Sequence, residues 1–314
     1  MSSISTLVTG GAGFIGSHLA DRLVAQGHRV RVVDNLSTGD ERNLDRIRDR
    51  IEFLLGDLTE PAVCHRATEG IDVVFHLAAL ASVPRSMEDP EASYQHNVTA
   101  TMGLILASRD AGVRRMVYSS SSSVYGDTEV LPKVESMELL PMSPYAAYKL
   151  AGEQMILAFA RAGVFEGAAL RYFNVFGPRQ SPTSAYAAVV PVFMYAAQAG
   201  TAAPIFGDGK QTRDFTYVDN VVAANLLAGF GPAERVNGAV CNVGAGDRTS
   251  LLDLARLIGE ISGRPLAVTH LPPREGDVRD SLASMARARE RLGYRVEVGL
   301  REGLQRTWDG FLPQ

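Results

Sequence analysis

Three glycines at three-residue spacing, set where an apolar run ends and an amphipathic one begins, constrain this chain more than any other feature. Ile4–Thr9 is short and apolar, and Thr9-Gly10-Gly11-Ala12-Gly13-Phe14-Ile15-Gly16 follows it. Phe14–Gln26 then carries Ile15, Leu19, Leu23 and Val24 on one helical face. A strand, a tight turn and a helix folded back on that strand need residues without Cβ at the turn and at the contact. The same geometry aims the free N–H groups and the positive end of the helix dipole at the turn, which makes a seat for a diphosphate.

The alternation continues. Val30–Val33, Ile51–Leu55, Val73–Leu77 and Met116–Tyr118 read as strands, and Glu91–Ala111 reads as a helix with Val98, Met102, Ile105 and Leu106 on its stripe. The strands are apolar runs without alternation, as expected where both sheet faces are covered. The series predicts an α/β fold with a doubly wound parallel sheet and right-handed crossovers. Ser143 and Pro144 then start a helix expected to reach Gly163. Beyond Arg171 the pattern loosens, with loops at Gly177–Ala185 and Gly207–Arg213, a Pro272-Pro273 turn, and helices at Asp219–Leu227, Leu251–Ile261, Ala283–Leu292 and Leu300–Phe311. Residues 1–170 are read as a dinucleotide-binding domain, to which later segments return, and 171–314 as a smaller mixed α/β substrate domain.

Composition excludes several classes. With 46% apolar and 21% charged residues in 314, the chain matches an ordinary folded protein. A net charge of −4 gives no basic field for nucleic acid. Cys64 and Cys241 are too few for a disulfide framework or a cysteine metal site, so no metal is expected. The start has no basic leader, and no run of about 18 apolar residues occurs, so the expectation is a cytoplasmic protein without membrane contact. Of 31 basic residues only Lys133, Lys149 and Lys210 are lysines, a mild hint that these positions want an ammonium.

Three further features stand along the strand ends. Asp34 closes the second strand, 18 residues after Gly16, where a carboxylate accepts both hydroxyls of an adenosine ribose and repels a 2′-phosphate. NAD is favoured over NADP. Asp57, in Gly56-Asp57-Leu58, is placed for an adenine amino group, though alone it reads equally as a turn aspartate. Ser119-Ser120-Ser121-Ser122-Ser123 follows the Met116–Tyr118 strand at the end where parallel sheets bind ligands; alone it would read as a polar loop. Tyr145 and Lys149 share one face of the helix capped by Ser143, so an ammonium would lower the phenol and make a base.

In these motifs the sequence resembles the extended short-chain dehydrogenase/reductases, specifically the nucleotide-sugar epimerase/dehydratase group. The resemblance rests on TGGAGFIGSHL, Asp34-Asn35, GDL, Leu77-Ala78-Ala79, SSVYG, YAAYK, LRYFNVFGPRQ, GDGKQTRDFTYVDN, NVG and REGDV. It implies a Rossmann sheet with a nucleotide-sugar domain and bound NAD. The cofactor contacts it implies are Gly10, Gly13, Phe14, Ile15, Gly16, Asp34, Asn35, Asp57, Leu58, Leu77, Ala78 and Ala79, with Asn97 and Tyr172 near the nicotinamide half. Tyr145 would be the proton-transferring base, Lys149 would bind the nicotinamide ribose and lower the phenol, and Ser121 would hold the reacting hydroxyl. Ser121 is chosen because the family's catalytic Ser or Thr stands four before the tyrosine of V-Y-G.

The same resemblance implies C4 epimerisation of a UDP-hexose through a 4-keto sugar. Related dehydratases place an Asp-Glu pair directly after the catalytic Ser or Thr; Ser122 and Ser123 stand there instead, and serine cannot do that proton transfer. Arg213 and Arg274 would hold the diphosphate, Asn174 and Ser122 the sugar, and Ala188, Val189 and Phe206 the nucleotide, although apolar residues serve a core equally well. Ser281, seven beyond Arg274, leaves room for an N-acetyl group where plain-hexose epimerases carry tyrosine. Asp277, and Ser82 and Arg85 in Ser82-Val83-Pro84-Arg85-Ser86, resemble the UDP-N-acetylglucosamine subgroup. That sugar ranks first, with UDP-glucose also admitted. Arg179 keeps UDP-glucuronate as an alternative, since an arginine pairs a carboxylate. A homodimer is implied through the helices at 91–111 and 144–163. The reading from another class is an NAD-binding regulator without catalysis.

Overall fold

The computed structural model describes residues 3–181, 188–272 and 278–311. The glycine series does what its spacing demands: β1 (Ser5–Thr9) ends in the turn, and α1 (Phe14–Ala25) runs back along it into β2 (Arg29–Asp34). Next come β3 (Ile51–Leu55), α2 (Pro61–Thr68), β4 (Val73–His76), α3 (Val83–Glu88), α4 (Pro90–Tyr94) and α5 (Ala100–Asp110). Then follow β5 (Arg115–Ser121), α6 (Pro144–Arg161), β6 (Glu166–Tyr172) and the short β7 (Val175–Phe176). The later part holds α7 (Val189–Ala199), β8 (Ala203–Phe206), β9 (Thr212–Arg213), β10 (Thr216–Tyr217), α8 (Val218–Phe230) and β11 (Ala239–Val243).

Seven of these strands form one parallel sheet in the order β11-β6-β5-β4-β1-β2-β3. Both faces are buried except along the edge strand β3, and alternate residues of the inner strands serve them in turn. Val8, Phe75 and Val117 join Leu19, Leu23, Val221 and Val222 in one core, beneath α1 and α8. Leu7, Val74 and Met116 join Leu104, Ile105 and Ile156 in the other, beneath α5 and α6. This is the doubly wound arrangement that the unalternating strands predict. Arg115, 2% exposed, fixes the end of α8 by donating from Nη1 to the carbonyls of Ala228, Gly229 and Gly231. Outside the sheet, β8 pairs in parallel with Val268–Leu271 and β9 antiparallel with Thr249–Ser250, with α7, Leu251–Ser262 and Leu300–Phe311 around them.

Several boundaries differ from the sequence reading. The helix expected over 91–111 is α4 and α5 joined by a π-helical turn, Gln95–Thr99, which carries Asn97. The strand expected over 116–118 runs on to Ser121, so three of the five serines belong to the sheet. The helix expected from Ala283 starts at Ala286, because Ala283 bridges to Lys133 instead. Strands β6 and β11 were not anticipated; β6 is Gly- and Ala-rich, without the β-branched residues that signal a strand. No described helix is long and apolar enough to cross a membrane.

Candidate active site

The strand order reverses between β1 and β4, and ligands of such sheets bind at the carboxyl ends flanking that reversal. Here the two ends are clipped together. The Thr9 hydroxyl accepts from the backbone N–H groups of Leu77 and Ala78 and pairs with His76 Nδ1 at 2.8 Å. Gly10, at φ +64°, lies so close that a Cβ would meet the Ala78 Cα at 2.8 Å. A Cβ on Gly16 would sit 2.2 Å from the Gly10 carbonyl oxygen, whereas one on Gly13 would meet only that oxygen, at 3.1 Å. Gly16 therefore sets the helix–turn contact, and Gly13 keeps an open approach over the start of α1. No side chain caps that helix. Its first N–H groups await an acceptor, and a diphosphate fits.

Asp34 is 8% exposed; Oδ2 accepts from Ala12 N at 3.0 Å and Oδ1 from Leu36 N at 2.8 Å. Burial raises its pKa, while these backbone donors oppose the rise. Asn35 donates from Nδ2 to Asp57 Oδ2 at 2.8 Å, and Asp57 Oδ1 accepts from Thr59 N and Oγ1. A cavity of about 320 Å³ runs between these groups. Gly10, Gly13, Phe14, Ile15, Gly16, Asp34, Asn35, Asp57, Leu58, Leu77, Ala78, Ala79, Tyr145, Lys149 and Tyr172 all line it. Asn97 does not. Its amide turns inward to donate to the Ser93 carbonyl and hydroxyl. His96, next to it, does line the cavity, 3.7 Å from Asp57. Ser37, Thr38 and His96 all line the cavity and had no sequence signal beyond their neighbours, whereas Gly56 belongs to the Gly56-Asp57-Leu58 motif.

The catalytic candidates meet at the floor of this cavity. Ser143 Oγ accepts from Ala146 N and caps α6, and Tyr145 N donates to Ser86 Oγ, so α3 fixes the first turn of the tyrosine's helix. Lys149, 4% exposed, donates from Nζ to the Ser119 carbonyl at 2.8 Å and lies 5.0 Å from the centre of the Tyr118 ring. Burial draws Lys149 down to about 7. Tyr145 moves up, through burial first, with the Ser121 hydroxyl drawing it down. In the unliganded chain burial sets the direction for Tyr145, and the Lys149 side chain is engaged by the Ser119 carbonyl. The serines divide their work. Ser119 Oγ pairs with the Tyr172 hydroxyl at 2.9 Å, and Ser120 donates to Glu153, which forms a buried ion pair with Arg171 at 2.6 Å. Ser121 ends β5 and accepts from the Ser123 backbone and hydroxyl.

A second cavity, about 650 Å³, opens on the same tyrosine. Phe14, Ile15, Ala81, Ser120, Tyr145 and Tyr172 line both, so the two spaces meet there. Both lie within the size range of small-molecule sites. Ser121, Ser122, Asn174, Ala188, Arg213 and Ser281 line the second. Asn174 stands at φ +31° and donates to Ser281 Oγ at 3.1 Å. Arg213 donates to the carbonyls of Thr212 and Arg279. Other candidates are elsewhere. Ser82 caps α3 by accepting from Arg85 N, and neither residue lines either cavity; nor do Val189 and Phe206. Arg179 is turned by φ +67° to pair with Asp21 of α1 at 2.6 Å, and it does not reach the cavity as expected. Arg274 and Asp277 lie outside the described residues.

A doubly wound sheet with a glycine cradle, a buried carboxylate at the end of β2 and a Tyr–Lys pair at the junction of two cavities defines a dinucleotide-dependent enzyme of the short-chain dehydrogenase type. The sequence matches the NAD dependent epimerase/dehydratase family over residues 6–244, and the chain belongs to that family. It is 43% identical over 310 residues to a UDP-glucose 4-epimerase of Mycolicibacterium smegmatis, covering 98% of each chain. Among solved structures it is similar to a UDP-N-acetylglucosamine 4-epimerase from Methanobrevibacter ruminantium, in complex with UDP-N-acetylmuramic acid, at 38% identity, TM-score 0.93 and 99% of each chain. It is likewise similar to a Thermotoga maritima UDP-glucose 4-epimerase with UDP-glucose, at 39% identity, TM-score 0.93 and 98% of each chain.

Proposed function

We propose that this enzyme interconverts the C4 epimers of a UDP-hexose, with UDP-N-acetylglucosamine and UDP-N-acetylgalactosamine ranked first and UDP-glucose also accepted. The observation that carries the reading is the meeting of two cavities at Tyr145, beside a serine edge that has no carboxylate at 122 or 123. Residues 1–170 supply most of the cofactor wall and later residues much of the sugar wall, with β11 returning to the sheet; the two-domain division is part of the proposal. Gly10, Gly13 and Gly16 hold the diphosphate, Asp34 the adenosine ribose, and Lys149 the second ribose. When bound, NAD supplies the two-electron acceptor and donor for C4 and a positive charge at its nicotinamide.

Tyr145 takes the proton of the C4 hydroxyl and later returns it to the C4 oxygen; the configuration inverts because the 4-keto sugar turns over in its pocket, so that hydride would return to the opposite face of C4. Ser121 holds the oxygen through both transfers. The phenol, raised by burial in the unliganded chain, becomes a competent base once cationic charge is brought beside it. A small Ser281 supports the N-acetyl sugar, because its hydroxyl, already bonded to Asn174, leaves the wall unencumbered. Serines at 122 and 123 weigh against dehydration, which needs an acid and a base at C5 and C6. The glucuronate reading loses the support of Arg179 but keeps its place as the alternative.

Purified protein, given no added cofactor, is incubated separately with UDP-N-acetylglucosamine, UDP-glucose and UDP-glucuronate while anomeric proton signals are followed by NMR. The expected result is fastest conversion of the N-acetyl sugar. Turnover of UDP-glucuronate alone overturns the substrate ranking, and turnover of none overturns the epimerase reading.

A further inference from the structure

The chain uses 28 arginines and only three lysines. Lys210 is exposed. Lys149 and Lys133 are 4% and 2% exposed, and each lines one of the two cavities. Lys149 already has a part in the proposed chemistry; Lys133 has none. Its backbone is tied into the 282–284 segment: Lys133 N donates to the Leu282 carbonyl at 2.7 Å, and its own carbonyl accepts from Ser284 N at 2.9 Å and Asn242 Nδ2 at 2.9 Å. That segment continues from Ser281, so Lys133, Ser281 and Asn174 belong to one wall of the sugar cavity.

The ammonium is under-used there. Nζ donates to the Thr128 carbonyl, its one hydrogen-bond acceptor among the described residues, although an ammonium carries three N–H donors. Burial draws its pKa down, and the charge of Asp127 draws it up, without a described ion pair between them. A desolvated cation on a cavity wall gains most from a strong acceptor supplied by the ligand. Amide and carboxylate oxygens are such acceptors; a sugar hydroxyl is weaker and brings a competing donor.

We propose that Lys133 is a substrate-binding residue that donates to a carbonyl-type oxygen on an exocyclic substituent of the sugar, an N-acyl amide or a carboxylate, and so helps set specificity. The proposal rests on the nucleotide-sugar reading above. It assigns the residue to the sugar, away from the diphosphate.

The test compares the holoenzyme with Lys133→Met, which keeps the stem and loses the charge. Dissociation constants are measured by titration calorimetry for UDP, UDP-glucose, UDP-N-acetylglucosamine and UDP-glucuronate. The expected result is tenfold or more weakening for one of the last two, less than threefold for UDP-glucose, and no change for UDP; which of the two responds separates amide from carboxylate. Equal weakening for all three sugars, no weakening for any, or a matching loss for UDP overturns the proposal. Should Lys133→Met not fold, Lys133→Gln is read by the same ratios. Failure of the wild-type enzyme to convert any sugar would sink the epimerase reading, while these binding ratios would still decide the part played by Lys133.

Discussion

Tyr145 carries the largest functional claim of any side chain, and its local frame shows why a single atom can be tested. Its backbone N–H and the cap of its helix are held by Ser86 and Ser143, so Tyr145→Phe removes the phenolic oxygen without releasing the turn. The expected outcome is a fall in kcat of about 10²–10⁴-fold with NAD still bound, read by anomeric NMR and by the absorbance of cofactor released on denaturation. Lys149 gives a second residue-scale outcome. Burial takes it from 10.5 in the unfolded chain to about 7 in the unliganded fold, so between those values the unfolded chain binds more protons. Stability of the cofactor-free protein should therefore rise from pH 7 to pH 9 by on the order of 2 kcal/mol, measured as urea midpoints. Lys149→Met should flatten that rise. These residues were legible because a cap, a tyrosine and a lysine one turn on are local spacings. Arg179 was not, because a left-handed backbone turns it onto Asp21, 158 residues away in sequence.

Among the elements, the β1–turn–α1 unit does most to create a site, and it tolerates least. A Cβ on Gly16 would press to 2.2 Å on the Gly10 carbonyl, which the contact of Gly10 with Ala78 prevents from moving away. Gly16→Ala should destabilise the protein by about 1–3 kcal/mol and yield preparations without NAD, measured by chemical denaturation and by the 260/280 nm absorbance ratio. That unit could be read from sequence because glycine spacing and helix periodicity agree within 20 residues. Other elements could not. β6 hides in Glu166-Gly167-Ala168-Ala169, where the sheet and not the residue type imposes extension. The π turn at Gln95–Thr99 is invisible to a 3.6-residue period, and it rotates Asn97 inward, away from the cavity that its motif suggested.

At the scale of the whole molecule, the sheet is closed at one edge by β11, from a stretch the sequence pattern left unassigned, and is covered on one face by α8. The second cavity is tied to that return: Tyr125 donates to Asn242 of β11, and Asn242 holds the carbonyl of Lys133, which lines the cavity. Such pairings join residues more than 100 apart, so Asn174, Ala188, Arg213 and Ser281 were legible through their motifs, while the place of Lys133 on the same wall was not. The central claim is that the substrate is oxidised and reduced at the same carbon by a cofactor that stays in place. A UDP-hexose carrying deuterium at C4 tests it directly, incubated in ordinary water without added NAD and followed by NMR and mass spectrometry. The account requires the epimer to appear with the deuterium still on C4; loss of that label to solvent, or its exchange at C5, would contradict it.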